Sequence, residues 1–475
     1  MVSNFARKLS LSSHVEIMEL PLIPETKLRN TNIAAFSALI FIAVLGMVAG
    51  YSAPATADMK KPGSRYEDIT EDQITWIASL PNLSGVIGNA LSGFISQKLG
   101  RKSVLMYISL SFMTSWLLIA YSRSLLYVYA GRLISGFSAG IASVAVPAYV
   151  VEIATTEKRG FLTSGFQVFY SSGVLVMMSL GIVLRWSWLA VTAAIFVVSG
   201  AILMFFMPES PAWLVRESRC AEAIRGLMFL RGKNVDYVRE IEEINDSMRE
   251  HSSRGIRFQD FLQPTLYKPI VIVFLLFFFQ QFSGINSLMS YTVDILKNAG
   301  SAIDPFTAAA IVSVVQLLVT MTSSLLMDRA GRKVLFIVSG CFLFLSLTTL
   351  GLHSIAVQKY NFDQAKYGWV PVMAFVVYVA AYAIGFGPIP FVMTPELVPI
   401  HTRSFLLAMG SVTCSGLGFV VAKSFDSLKT LMGEYGLYWA YAAFSLLGSL
   451  YCFFFIQETK GRTIQEINSS FSASS

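Results

Sequence analysis

Twelve stretches of this chain are almost free of Asp, Glu, Lys and Arg, at roughly residues 33–54, 74–97, 103–122, 127–150, 160–184, 187–207, 269–293, 305–327, 334–356, 368–392, 404–425 and 436–456. At about 1.5 Å per helical residue, each is long enough to cross a hydrocarbon core of about 30 Å. Lipid offers the backbone no hydrogen-bond partners, so each stretch has to satisfy its own amides as a helix. Composition points the same way: with 54% hydrophobic and 14% charged residues, and a mean hydropathy of +0.60, the apolar surface exceeds what one soluble core can hide. The chain reads as an all-α membrane protein.

Those stretches fall into two related sets of six. Gly100-Arg101-Lys102 recurs half a chain later as Gly331-Arg332-Lys333. Glu152 is followed seven positions on by Arg159, as Glu396 is by Arg403, and the halves close on Glu209-Ser210-Pro211 and Glu458-Thr459-Lys460. Duplication of a six-helix unit is the sequence mark of a transporter built from two pseudo-symmetric repeats. Between the halves lies a charged insert in which Cys220–Arg231 and the segment from Val238 carry apolar residues at three and four spacing, the pattern of short amphipathic helices. The expected division is a tail at 1–32, a six-helix half at 33–207, a helical linker at 208–268, a second half at 269–457 and a tail at 458–475.

Basic residues concentrate in the loops after the second, fourth, eighth and tenth runs, among them Lys98, Arg101, Lys102, Lys158, Arg159, Arg329, Arg332, Lys333 and Arg403. The positive-inside rule makes those loops cytoplasmic, with both termini on the same side. No cleavable signal peptide is visible, since the first apolar run is long enough to stay as a helix. The net charge of +7 is dispersed over membrane-proximal loops, which excludes a basic nucleic-acid face. Cysteines at 220, 341, 414 and 452 have no metal-ligand spacing and predict no disulfide. With no Walker loop and no placed Ser/His/Asp set, the chain is expected to be neither an ATPase nor any other enzyme, and to need no metal or cofactor.

Six strings in order carry a family resemblance: Pro147-Ala-Tyr-Val-Val-Glu-Ile153 with Arg159-Gly160, Pro208-Glu-Ser-Pro-Ala-Trp-Leu214, Gln280-Gln-Phe-Ser-Gly-Ile-Asn286, Asp328-Arg-Ala-Gly-Arg-Lys333, Gly385-Phe-Gly-Pro-Ile-Pro390 and Glu458-Thr-Lys-Gly-Arg-Thr463. Together, from about residue 33 to 467, they resemble the sugar porter family of the major facilitator superfamily, and in particular arthropod facilitated trehalose and glucose transporter-like proteins. The resemblance implies facilitative transport of a sugar such as a hexose or trehalose by alternating access, in a plasma-membrane protein that works as a monomer. A proton-coupled sugar symporter and a non-transporting sugar sensor are the alternatives.

Sugars are gripped at membrane depth by amides and hydroxyls, which exchange hydrogen bonds without the cost of burying a charge. Gln280, Gln281 and Asn286 stand in an otherwise apolar run, and the resemblance makes them sugar ligands. It adds Gln167 and Gln316 as further ligands and Phe391 as an aromatic surface where many members carry tryptophan. Tyr291 is the expected gate on the external side, and Gly387, Pro388 and Pro390, with Gly385, the expected bend of the tenth helix. The charge clusters Arg101, Glu152, Arg159, Glu209 and Asp328, Arg332, Glu396, Arg403, Glu458 are expected to lock the outward-facing state from the cytoplasmic side. Four further residues depart from the family pattern: Gln97 where an acidic residue is usual, Cys414-Ser415 where Asn-Trp is common, and Ser52 where proton-coupled members carry aspartate after Gly50-Tyr51. The last supports downhill transport, because an ionisable group is the chemical requirement for carrying a proton.

Overall fold

The computed structural model describes residues 25–155, 158–232, 237–252, 264–298, 300, 303–360, 367–397, 402–460 and 466. The amino-terminal half consists of α1 (Glu25–Gly50), α2 (Ser52–Met59), α3 (Glu71–Leu99), α4 (Arg101–Ala120), α5 (Leu125–Ile153), α6 (Arg159–Leu180) and α7 (Trp186–Phe205). Three short helices follow, α8 (Pro211–Arg216), α9 (Cys220–Arg231) and α10 (Tyr237–Ser252). The second half holds α11 (Pro264–Phe282), α12 (Ile285–Ser290), α13 (Thr292–Asn298), α14 (Pro305–Ala330), α15 (Arg332–Tyr360), α16 (Trp369–Ile384), α17 (Ile389–Glu396) and α18 (Arg403–Phe455).

Among the described residues, ten helical segments are long and apolar enough to span a membrane. The helix α3 is not among them, because serine, asparagine and glycine dilute its apolar character, yet it packs inside the molecule against α5 and α18. The 53-residue α18 is about twice the length of one crossing. It breaks at Gly433, whose φ of 73° and ψ of 166° no helix contains. Counting α3, and dividing α18 at Gly433, recovers the twelve expected crossings.

Local chemistry sets the ends. Thr70 and Gln73 form a reciprocal capping box at the start of α3. Asp304 caps α14 through the Thr307 amide, with Pro305 in the first turn. Within the first half, Gly136 and Gly140 of α5 press against the backbone of α3 at Pro81 and Gly85, and Gly46 and Gly173 join α1 to α6 in the same way. Small residues permit this approach where hydrophobic collapse gives helices in lipid little reason to associate.

One large buried cluster lies in the first half, and a second fills the other half and takes in Ala53, Ile74, Val174 and Met178 of the first. The halves meet mainly along two helix pairs, α3 with α18 and α6 with α14. Trp213, Leu214, Val215 and Ala223 form a third small core with Ile241 and Ile244, so the amphipathic segments of the linker do fold against one another. The linker is also tied to the first half. Asn30 Nδ2 and Thr31 Oγ1 donate to the Phe229 and Leu230 carbonyls (2.8 and 3.0 Å), and buried Arg231 donates to Ile153 O (2.8 Å). Below, the end of the bundle bearing the linker is the linker end and the opposite one the far end.

Candidate functional site

Two of the expected single helices are interrupted at the same depth. After α11 the chain breaks at Ser283-Gly284, where Gly284 takes a left-handed φ of 87° beneath the Tyr441 ring. The second break, Gly385–Pro388, separates α16 from α17. Broken helices expose carbonyls that lipid cannot satisfy, so protein groups have to reach them. Gln280 does so: its Nε2 donates to Phe386 O (2.9 Å) and Gly387 O (2.8 Å). Ser283 Oγ donates to Gln280 O (2.7 Å), and Tyr378 Oη to Ser283 O (3.0 Å).

Counting hydrogen bonds separates the amides by role. Gln281 Nε2 donates to Gln280 Oε1 (3.1 Å) and Cys414 Sγ (3.1 Å), and the Cys414 thiol lies 3.8 Å from Gln280 Oε1 as a donor. Asn286 Nδ2 donates to Gln281 Oε1 (2.5 Å). An amide offers two donors and two acceptor sites. Gln280 has used all four and is 1% exposed. Gln281, 2% exposed, keeps one acceptor site, and Asn286, half-buried, keeps one N–H and its carbonyl oxygen. Sequence reasoning grouped the three as equals; the fold makes Gln280 the post on which Gln281 and Asn286 are held. Cys414, at a position that departs from the family pattern, belongs to this chain of bonds.

The remaining predicted residues lie around it. Gln316 is 5% exposed with Oε1 unpartnered, and Gln167 is half-buried. Each stands one turn from a contact between the halves, Ser171 Oγ to Thr320 Oγ1 at 3.3 Å. Phe391, 39% exposed, meets Phe277 edge-on at 4.8 Å. Tyr291, between α12 and α13, is buried and stacked on Phe425 at 4.4 Å.

Sequence reasoning missed the contacts that cross between halves. Along α3 and α18, Asn89 Nδ2 donates to Ser415 Oγ (2.8 Å) and Ser411 O (3.1 Å), and Trp76 faces Phe419 at 6.4 Å. At the far end, Lys423 pairs with Asp72 (2.5 Å), donates to Thr75 (3.0 Å) and lies over Trp76. Lys60 bridges Glu71 (2.9 Å) of its own half and Asp294 (3.0 Å) of the other. Burial alone would lower the Lys60 pKa, but Asp294 and Glu71 outweigh it and raise the value above its usual 10.5. These residues are far apart in sequence, so no local pattern could join them.

The duplicated motif gives two matching turns at the linker end. Gly100 and Gly331 both adopt φ of 91°. Glu209 accepts from the Lys102 and Ser103 amides (2.8 and 3.2 Å), as Glu458 does from the Arg332 and Lys333 amides (3.0 and 3.0 Å). Arg101 pairs with Glu152 (2.8 Å) and Arg332 with Glu396 (3.1 Å). Ser210 Oγ donates to Glu152, and Thr459 Oγ1 to Glu396 (2.6 Å). Each of these pairs joins helix ends within one half, so in this conformation they staple the halves internally and do not lock one to the other. Arg159 is exposed and joins neither cluster among the described residues; the side chains of Asp328 and Arg403 lie outside the described residues. At Gln97 it is the backbone that works, its carbonyl accepting from Trp213 Nε1 (2.8 Å).

One ionisable group was legible and passed over: Arg132, inside the fourth apolar run. It is 1% exposed and donates to Ile77 O (2.9 Å), Val48 O (2.8 Å) and Ser52 Oγ (2.7 Å). No carboxylate pairs with it among the described residues. A guanidinium thus faces the position where the family pattern puts an aspartate in proton-coupled members.

A family model described as sugar (and other) transporter matches residues 31–471. The facilitated trehalose transporter of Culex quinquefasciatus is 34% identical over 438 residues, 92% of this chain and 84% of that protein. That of Apis mellifera ligustica is 32% identical over 442 residues, 92% and 88% of the two chains. The Aedes aegypti protein is 34% identical over 92% of this chain, which spans 54% of that longer relative. Among solved structures, the partially occluded inward-open form of the E. coli xylose transporter XylE superposes with a TM-score of 0.77 at 21% identity, covering 92% of this chain and 100% of that one. The proton:xylose symporter XylE bound to 6-bromo-6-deoxy-D-glucose gives 0.74 at 23%, with 93% and 99% covered. The shared fold is that of the major facilitator superfamily.

Proposed function

The chain belongs to the sugar transporter family, and from that premise we propose that it carries a sugar downhill across a membrane by alternating access, with a hexose or trehalose as substrate. The observation that carries the reading is the chain of amides at the two helix breaks, Gln280–Gln281–Asn286, which ends in free hydrogen-bonding capacity. Gln281 and Asn286 bind the sugar, and Gln280 orients them while holding the bend at Gly387, Pro388 and Pro390. Gln167 and Gln316 add polar contacts beside the seam between halves. Phe391 supplies apolar surface, and Tyr291 on Phe425 closes the far end.

The far end is external and the linker end cytoplasmic, as the basic loops require, and the membrane is the plasma membrane. The halves described as 33–207 and 269–457 rock about the site as a monomer, without ATP. With cross-half ion pairs at the far end and separate clusters at the linker end, the conformation described is closed outside. When the halves rock the other way, the linker-end clusters meet and take over as the lock. Ser52 beside Arg132 supports uniport, since a hydroxyl cannot relay a proton by ionising at neutral pH.

The test is counterflow. Proteoliposomes loaded with unlabelled glucose, trehalose, fructose or a polyol, at equal pH on both sides, are expected to accumulate labelled sugar, and Gln281→Ala to abolish it. Exchange that requires a pH gradient would replace uniport by symport. Binding without exchange would make the protein a sensor.

A further inference from the structure

The bonds of the amide chain leave most of its free capacity at Asn286, so the groups beside Asn286 decide what else touches the sugar. One is an amide from the other half. A Cβ built on Gly418 would lie 2.6 Å from Asn286 Nδ2, 3.3 Å from Gln281 Oε1 and 3.5 Å from Cγ of Asn82. Side chains from α3 and α11–α12 therefore converge over one bare glycine of α18. A methyl group at 418 would displace the Asn286 amide, 2.6 Å away, while touching Asn82 at ordinary contact distance.

Asn82 and Asn89 lie two turns apart on the face of α3 that lines the seam. Their roles differ. Asn89 is 3% exposed and has both donors engaged, donating to Ser411 O and Ser415 Oγ and accepting from Ser143 Oγ (2.7 Å). Asn82 is half-buried and makes no hydrogen bond among the described residues. Its amide atoms are not among the sealed, unpartnered ones, so they face open space where the hydroxyl of an entering molecule can bond them.

We propose that Asn82 is a sugar-binding residue, contributed by the amino-terminal half and admitted to the site by Gly418, which bridges the sugar to Asn286. A sugar hydroxyl is both donor and acceptor, so one hydroxyl can accept from one asparagine and donate to the other. The bridge makes the substrate a cross-half contact, so binding and the rocking of the halves depend on each other. The proposal rests on the transport reading above.

The experiment is uptake into proteoliposomes by the full chain, wild type and Asn82→Ala, with the transported sugar and its series of monodeoxy analogues. Loss of one hydrogen bond to the sugar is expected to raise KM about tenfold while leaving the maximal rate within about twofold. In wild type, one deoxy analogue should lose more than that, up to about a hundredfold, because the hydroxyl it lacks meets both asparagines. In Asn82→Ala that analogue should lose about tenfold less than in wild type, because only its bond to Asn286 is left to remove. Gly418→Ala is expected to raise KM in the same direction. An unchanged KM, or a rise with every analogue still losing as much as in wild type, overturns the proposal. Wild-type protein that carries no sugar overturns the transport reading itself. Thermal melting checks folding, and Asn82→Ser carries the same cycle if the alanine variant does not fold.

Discussion

Removing the two lysines that join the halves at the far end should open that end. Lys60 and Asp294 are each about three-quarters buried, with side chains 27% and 23% exposed. That pair stands above the median of about 0–1 kcal/mol for exposed pairs, and about 1 kcal/mol is a fair value. Lys423 is 25% exposed but Asp72 is 71% exposed, and the pair is worth about 0.5 kcal/mol. The Lys60–Glu71 bond lies within one half and contributes nothing to closure. Together the cross-half pairs favour the closed far end by about 1.5 kcal/mol, a little over tenfold in the conformational equilibrium. The assay is a spin-label distance measurement between Tyr121→Cys and Leu431→Cys, two exposed far-end positions in opposite halves, with the native cysteines replaced. The Lys60→Gln, Lys423→Gln double variant should gain the long-distance population by about tenfold, and each single variant by less. Exchanging the charges of the main pair, Lys60→Asp with Asp294→Lys, should restore most of the closed state. Identical distance distributions in wild type and the double variant would refute the reasoning.

Further outcomes follow from the same geometry. Because the Lys60 pKa is raised, its contribution is fully present below about 10.5 and lost only as pH rises through the higher value of the closed state, so closure should hold from pH 7 to 9 in the same measurement. Gly284→Ala forces a side chain into a left-handed conformation against the Tyr441 ring, at about 1–2 kcal/mol for the backbone and about 1–3 for the overlap. A lower melting temperature with loss of uptake is expected, and a variant as stable as wild type would contradict it. Glu209→Gln and Glu458→Gln each weaken two amide bonds at equivalent turns, and should lower the melting temperature by similar amounts, reflecting about 1–2 kcal/mol. Ser52→Asp sets a carboxylate beside buried Arg132; uptake insensitive to a pH gradient in wild type should become pH-dependent, and an insensitive variant would show that this position cannot support coupling.

What the sequence determined by itself was everything set by neighbours along the chain. Long uncharged runs have one solution in lipid, so an all-helical fold could be read from residue types alone. The two Gly-Arg-Lys turns and their acidic partners were legible because a duplicated motif needs the same geometry twice, and the structure repeats it down to φ of 91° at Gly100 and Gly331. The amides of Gln280, Gln281 and Asn286 stood out because polar groups are expensive at that depth. Tertiary structure decided the rest. That Gln280 is saturated while Asn286 is not depends on carbonyls freed by a break about a hundred residues away. That Lys60 meets Asp294, Lys423 meets Asp72, and Asn82 and Asn286 converge on Gly418 depends on how the two halves are set against each other. Helical periodicity tells which face of a helix is polar, but it holds no register between one half and the other, and the contacts that join the halves belong to that register.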